Sequence, residues 1–454
     1  MKKMKTKKIS NIKFVNVHKL IFLLLIPFAL IFVVPMQAQV WTLHQCIDTA
    51  QLNNKTLQMS ENNMALSEQK HKEAVSNLIP KIYANADYRY YTDLPTQLMP
   101  LTAFGGPEGQ YKATQFGVPH NIGVNVQIHL PLYNPQIYGA LKTTQIASEL
   151  SELQYQKTEE QVIFDITNLY YNAQILLKQK SFLESNIVNT KILLSNLQLL
   201  NEQLMVKMTD VTKVQLQLEQ LYTQTELIKS NYEQVVNALK FTIGIPINQT
   251  IQIDTDIQYK ERTEYENAVI TDIKIAETYK KLINSELKTL QLSRLPALSL
   301  YGSYGQTGYG YDEKPNNFLD FYPIGFVGAQ LSIPLFNGTV TNKKINQKKI
   351  EIQNSDLQLN LLTEQNIMLT DNANRKRTVA VKTIENTISQ IELAQTIYNQ
   401  TVLQQKEGTA NLTDVLLSDN ALREAQQNYL SAVIDYLKAD LELKKLTGNN
   451  KLTN

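Results

Sequence analysis

Gln127-Ile128-His129-Leu130-Pro131-Leu132-Tyr133 closes an alternating strand, and Gln330-Leu331-Ser332-Ile333-Pro334-Leu335-Phe336 closes another one 203 residues later. Outward from these stretches the correspondence continues. Thr209-Asp210-Val211 returns as Thr413-Asp414-Val415, and Ile243-Gly244 as Thr447-Gly448, both at an offset of 204. A register kept over so long a distance marks an internal duplication, which sets the architecture before any single motif does.

Each copy joins two textures. Of 14 prolines, 11 fall within residues 80–139 and 296–337. Residues 140–243 hold neither Pro nor Gly, and residues 339–447 hold only Gly408. Interior Pro costs about 3 kcal/mol and Gly about 1, so these stretches are built to stay helical. Val211, Val214, Leu218, Leu221, Thr225, Ile228, Tyr232, Val235 and Leu239 alternate steps of three and four; Val415, Ser418, Leu422, Ala425, Tyr429, Ala432, Tyr436, Ala439 and Leu443 repeat the slots. That spacing is a coiled-coil stripe. A helix from Leu141 to Leu204 would be roughly 95 Å long. Such rods pack antiparallel around turns near residues 205–210 and 409–413, and Leu193, Leu200, Leu216 and Ile243 hint at a second seam.

The Pro/Gly windows read as strands. Ile122, Val124, Val126, Ile128 and Leu130 alternate with Gly123, Asn125, Gln127 and His129. One apolar and one polar face over this length fit a membrane β-strand. Val327, Ala329, Leu331 and Ile333 repeat the pattern against Gly328, Gln330 and Ser332. Strands are expected over about 80–91, 121–131, 297–305 and 323–333. Twelve of the 23 tyrosines fall within residues 80–139 and 296–337, suiting aromatic girdles at strand ends. Gly305-Gln306-Thr307-Gly308-Tyr309-Gly310 reads as a loop and not as a phosphate cradle, because no helix follows it. Four strands cannot close a barrel, and open edges are not tolerated in lipid, so strands that span a membrane here require partner chains. All helices then lie on one side, with loops 92–120 and 306–321 on the other.

Residues 1–39 read as a secretory signal peptide: seven lysines up to Lys19, an apolar run from Leu20 to Val34, and Met36-Gln37-Ala38 before the cut. A net charge of +2 from 44 basic and 42 acidic residues gives no footing for nucleic acid. A single cysteine excludes an intrachain disulfide. Cys46 shares a helical face with Leu43, Ile47 and Ala50, which points to burial; Gln45 stands where a lipidation motif wants a small residue.

Trp41-Thr42-Leu43 with Ala50 and Asn53-Asn54, the strand–Ile-Pro-Leu-Phe–helix transition, and the turn Gly408-Thr409-Ala410-Asn411-Leu412-Thr413-Asp414-Val415 together resemble the TolC-type outer-membrane efflux proteins. The resemblance covers nearly all of residues 41–448. It implies a mixed α and transmembrane β fold of duplicated β-hairpin and long helical hairpin. Three copies would form a homotrimer with a 12-stranded β-barrel, continued by a 12-helix α-barrel through the periplasm. It implies a passive exit duct, not an enzyme, coupled to a periplasmic adaptor (membrane fusion) protein and an inner-membrane pump of the RND, ABC or MFS type, with outer-membrane lipids around the barrel and no cofactor. The division expected is a signal peptide over 1–39, a first repeat over 40–248 with long helices at about 138–243, and a second repeat over 249–454. The second opens on an equatorial segment, 249–264, and carries long helices at about 338–447. A duct for type I protein secretion, or a secreted coiled-coil structural or adhesive protein, are the competing readings.

Asp210 and Asp414 are the candidate aperture residues: trimer symmetry would give six carboxylates at the narrow end, a field favouring cations. The plainer reading makes them helix N-caps. The family's second acid is replaced by Leu417, and Leu204 stands where the other turn has Gly408. The adaptor-contact turns would comprise Leu204, Lys207 and Thr209, and Gly408, Asn411 and Thr413. Scattered histidines have no metal-ligand spacing. Lys343, Lys344, Lys348 and Lys349 read as a solvated face near lipid phosphates, and Arg375-Lys376-Arg377 as another. No nucleophile–base set is visible.

Overall fold

The structure, a computed structural model, describes residues 40–257, 264–311 and 320–449. The expected signal peptide, and part of the expected segment 249–264, lie outside the described residues. In chain order the elements are β1 (Val40–Trp41), α1 (Leu43–Asn53), α2 (Lys55–Ser76), β2 (Lys81–Tyr90), β3 (Thr96–Pro100), a 3-10 turn (Leu101–Phe104), β4 (Tyr111–Gln115), β5 (His120–Tyr133), α3 (Pro135–Glu202), α4 (Met208–Ile243), β6 (Gln252–Ile253), α5 (Thr271–Leu292), β7 (Ala297–Gly310), β8 (Asp320–Ser332), α6 (Val340–Lys406) and α7 (Leu412–Leu446).

The rods α3 and α6 hold 68 and 67 residues, about 100 Å each at the α-helical rise. α3 starts at Pro135, earlier than the periodicity suggested. The Asn134 side chain accepts from the N–H groups of Gln136 and Ile137, and proline is pre-organised for the first helical position. Near the sheet the helices lie in the order α2–α3–α5–α6, and at the far end in the order α4–α3–α7–α6. Each rod therefore serves two sets of neighbours. The stripe on α7 is buried at every position but Tyr429, and on α4 Val211, Val214, Leu218, Leu221 and Leu239 are buried. Of the residues read as a second seam, Leu193 and Ile243 are buried, but Leu216 is exposed.

Midway along, β1 pairs in parallel with β6, and α1 closes over α3 and α4. Thr42 caps α1 through a reciprocal box with Gln45, so the glutamine beside the cysteine has a capping role. Cys46, Ile47 and Ala50 are buried with Ile166, Tyr170, Leu239 and Ile253, and burial pushes the Cys46 thiol up to about 12.

The four main strands form one antiparallel sheet in the order β2-β5-β7-β8. Its register settles the faces. Ala86 is opposite Val124, Ile128 opposite Gly302, and Gly302 opposite Val327. By the two-residue period, Val327, Ala329 and Leu331 share the face of Ile122 to Leu130. Asn85, Asn125, Gln127, His129, Ser303 and Gln330 lie on the other.

Three expectations need correction. The glycine-rich stretch 305–310 is strand, not loop: β7 runs to Gly310, paired on both sides as far as Tyr309. Gly308 is a slot for a neighbouring ring, since a Cβ there would stand 2.8 Å from the Phe321 ring, and Gly305 lies against the Val124–Asn125 backbone of β5. The tyrosines are not confined to strand ends. Tyr301 and Tyr304 are mid-strand, and their rings leave no space for a Cβ at Gly328 and Gly325. Last, the 92–120 connection holds a second small hairpin, β3 with β4. β8 begins at Asp320 and includes Pro323; an edge strand with a single ladder tolerates proline.

Candidate functional site: the helix turns and the buried polar clusters

The two rods end in matching turns. Leu204 and Gly408 both have left-handed backbone, with φ of 60° and 76°. Glycine adopts this freely, whereas leucine pays of order 1–2 kcal/mol. The first turn carries that strain on an exposed side chain, braced by Asn201, whose amide donates to the Val206 carbonyl at 2.8 Å.

The aspartates are not N-caps. Lys207 is the N-cap of α4 and makes no side-chain cap bond, while Asp210 pairs with Lys213 at 3.2 Å. Asn411 caps α7 by accepting from the Asp414 N–H at 3.0 Å, and the Asp414 carboxylate accepts from the Asn411 N–H at 3.0 Å. Asp414 is thus the third residue of a capping box, one turn later than an N-cap would stand. Among the described residues it has no ion-pair partner. Thr209, Thr413 and Leu417 are exposed beside these acids.

Asp419, two positions past Leu417, is the acid that sequence reading passed over. Its side chain is 3% exposed, paired with Arg423 on its own helix and accepting from Gln217 Nε2 of α4 at 2.5 Å. Burial raises its pKa, and the charge and hydrogen bond of Arg423 and the hydrogen bond from Gln217 oppose the rise. Tyr398 of α6 faces the same cluster, its phenol pushed up to about 12, first by burial and then by the Asp419 charge. Four helices therefore meet here: Leu193 and Leu197 of α3 complete the apolar shell with Val214, Ala394 and Leu422. An i,i+4 Asp–Arg spacing was the available signal; it could not reveal burial.

Arg377 corrects a second reading. Far from solvated, it is buried and bonds Asp440 of α7 at 3.1 Å, with its guanidinium 5.3 Å from the centre of the Tyr265 ring. Tyr265 donates to both Asp440 oxygens, at 2.8 and 2.9 Å, and desolvation, then Asp440, pushes its phenol above the usual range. The cluster ties the segment that follows the first repeat to the rods. Lys348 likewise bridges Glu286 and Glu351 at 2.7 and 2.6 Å, while Lys343, Lys344 and Lys349 are exposed as expected of a solvated face.

The geometry is that of long rods joined to a sheet, and among the described residues no His, Cys, Asp and Glu cluster could hold a metal ion. Residues 271–449, from the start of α5 to just past the last helix, match the family model described as outer membrane efflux protein. Outer membrane protein TolC of Salmonella enteritidis is 19% identical over 436 residues, spanning 90% of this chain and 82% of that protein. The chain thus resembles the outer membrane efflux proteins in its second half and TolC over most of its length. Solved structures carry the same fold. The Campylobacter jejuni CmeC outer membrane channel aligns with a TM-score of 0.73 at 15% identity, over 90% of this chain and 86% of that one. VceC of Vibrio cholerae aligns with a TM-score of 0.70 at 14% identity, over 89% and 96%. The matched family model and the TolC relative both carry the outer membrane in their names, and at the turns of this chain Leu204 and Leu417 are both exposed.

Proposed function

We propose that the chain is the exit duct of a tripartite efflux system. Residues 1–39 are removed, and the repeats 40–248 and 249–454 assemble as a homotrimer. Twelve strands close a barrel in the outer membrane and twelve long helical segments continue the tube into the periplasm. The duct is passive and not an enzyme; an inner-membrane pump supplies energy through a periplasmic adaptor. The observation that carries this reading is the sheet, whose edge strands β2 and β8 each have one side without a partner strand among the described residues. Unpaired backbone in lipid costs several kcal/mol per group, and further copies remove both edges. The type I secretion and adhesive-rod readings are not favoured.

The adaptor reading places its contact at the two turns, the points farthest from the sheet along rods about 100 Å long. Photocrosslinkers at Lys207 and Asn411 should capture the adaptor in cells, whereas one at Lys178, well inside α3, should not. Capture from Lys178 alone would move the contact off the turns.

The aperture reading rests on Asp210 and Asp414, near the mouth in three copies each. Asp414, without a cation partner among the described residues, should contribute more of the field than Asp210, which Lys213 partly neutralises. Asp414→Asn should therefore reduce cation preference and divalent-cation block in planar bilayers more than Asp210→Asn. Equal currents from both variants and the parent, with trimers intact, would leave Asp414 a capping-box residue only.

A further inference from the structure

We propose that the barrel interior carries a binding track for planar, uncharged aromatic solutes, built by one face of β7 and β8. This names a substrate class for the duct and rests on that reading, in which the polar face of the sheet lines the lumen. The polar face is not uniform. On β2 and β5 it carries Asn85, Asn125, Gln127 and His129. Across the register, Tyr301 stands opposite His129, Ser303 opposite both Gln127 and Phe326, and Gly305 opposite both Asn125 and Ile324. With Tyr322 opposite Thr307 and Tyr309 opposite Asp320, the same face of β7 and β8 therefore holds Tyr301, Phe326, Ile324, Tyr322 and Tyr309 in successive rows. Rows two residues apart are spaced by about 6.7 Å, which makes a track about 27 Å long.

A comparison of the two hairpins singles this track out. With Lys81 opposite His129 aligned on Ala297 opposite Ser332, the apolar face keeps its character: Val124, Val126 and Ile128 correspond to Val327, Ala329 and Leu331. On the polar face, Asn85, Gly123 and Asn121 correspond to Tyr301, Phe326 and Ile324. Where the first hairpin presents polar or bare positions, the second presents rings and an aliphatic chain.

The rings are arranged in two pairs with a floor between them. Tyr301 lies over Gly328, where a Cβ would meet its ring at 2.8 Å, and Phe326 stands nearly edge-on to it, centroids 6.0 Å apart at 69°. Tyr309 and Tyr322 are 6.0 Å apart at 45°. Between the pairs Ile324 stands opposite Gly305, which adds no side chain. Phe326, Ile324 and Tyr322 are 52%, 55% and 55% exposed, so packing within the chain leaves their faces open. Apolar surface on a wetted wall gains free energy when an apolar solute covers it. Charge then selects the solute. The four strands hold four charged residues, Lys81, Asp87, Arg89 and Asp320, all on the polar face and two of each sign. Asp87 and Arg89 pair with each other at 2.9 Å, and Asp320 meets the track only at its last row. An ion finds no counter-charge along the rings. A flat neutral ring finds edges and faces for offset stacking, with the Gln127 amide one strand over from Ser303 for a polar substituent.

The test reconstitutes the full chain in planar bilayers at neutral pH and adds 2-naphthol or its ring-saturated counterpart, decahydro-2-naphthol. The aromatic alcohol should interrupt the current at a concentration about tenfold below that of the saturated one. Phe326→Ser/Tyr322→Ser should weaken the naphthol block about tenfold. Phe326→Leu/Tyr322→Leu, which keeps apolar bulk without rings and serves if the serine variant fails to assemble, should erase the preference for the aromatic alcohol. Tyr304→Ser, on the apolar face of the same hairpin, should change neither. Equal block by the two alcohols, or a naphthol block that survives loss of the rings, overturns the track. So does an equal loss of block in Tyr304→Ser, which would put ring binding on the lipid side. A parent that forms no conducting oligomer sinks the duct reading itself, whereas a conducting parent that naphthol does not block sinks the track alone.

Discussion

Arg423→Ala lowers the unfolding midpoint of the protein more than any surface substitution in the rods. The carboxylate of Asp419 lies 3% exposed with Arg423 as its cation and Gln217 as its remaining donor. Removing one partner of a buried pair leaves an uncompensated charge, at a cost of about 3–5 kcal/mol. The double variant Arg423→Ala/Asp419→Leu should recover most of that, because the penalty lies in the orphaned charge and not in the lost contact. The sign with pH follows. Burial raises the folded pKa of Asp419 above its unfolded value, and loss of Arg423 raises it further. The neutral form is then favoured in the folded state, so stability is greatest below the unfolded carboxylate range and is lost as pH rises through the folded pKa. The defect of Arg423→Ala should shrink on acidification, and Asp419→Leu should abolish that dependence. Circular dichroism melts of the detergent-solubilised protein across pH read both. A single variant no less stable than Lys207→Ala, or a defect that grows on acidification, would remove the buried pair from the account.

Val126→Arg should all but abolish membrane assembly, while Gln127→Arg should be tolerated. The two are neighbours on β5 and differ in face. Val126 lies opposite Ala84 and Tyr304 in an apolar row, and Gln127 opposite Tyr83 and Ser303 on the polar side. An arginine facing lipid at the midplane costs roughly 2–4 kcal/mol, and a lumen-facing one little. A closed oligomer would pay the penalty once per copy. Trimer yield in outer-membrane fractions is the measurement; equal yields would mean that the apolar face does not look toward lipid.

The legible part of this protein was its periodic part. Steps of three and four from Val211 to Leu239, and alternation from Ile122 to Leu130, are properties of neighbours along the chain. A helix or strand expresses them wherever it packs. The offsets near 204 carried the duplication for the same reason, and the mixed helical and strand fold of the chain follows from them.

Tertiary structure decided what depends on partners far apart in sequence. Glycine density from 305 to 310 argued for a loop, yet Gly308 makes room for the Phe321 ring of β8 and Gly305 for the backbone of β5. Only sheet pairing reveals that, since a glycine's own neighbours do not say what covers it. Arg377 stood in a run of three basic residues that looked solvated, and its burial comes from Asp440, 63 residues on, and Tyr265 from the preceding segment. Asp414 and Asp210 carry the same local motif but differ in use, because Asn411 closes a box on one and Lys213 pairs with the other. Backbone and hydrophobic period are local and were written in the sequence alone. Which polar group is buried, and against what, is a property of the packed assembly, where a charge survives only beside a partner that folding brings to it.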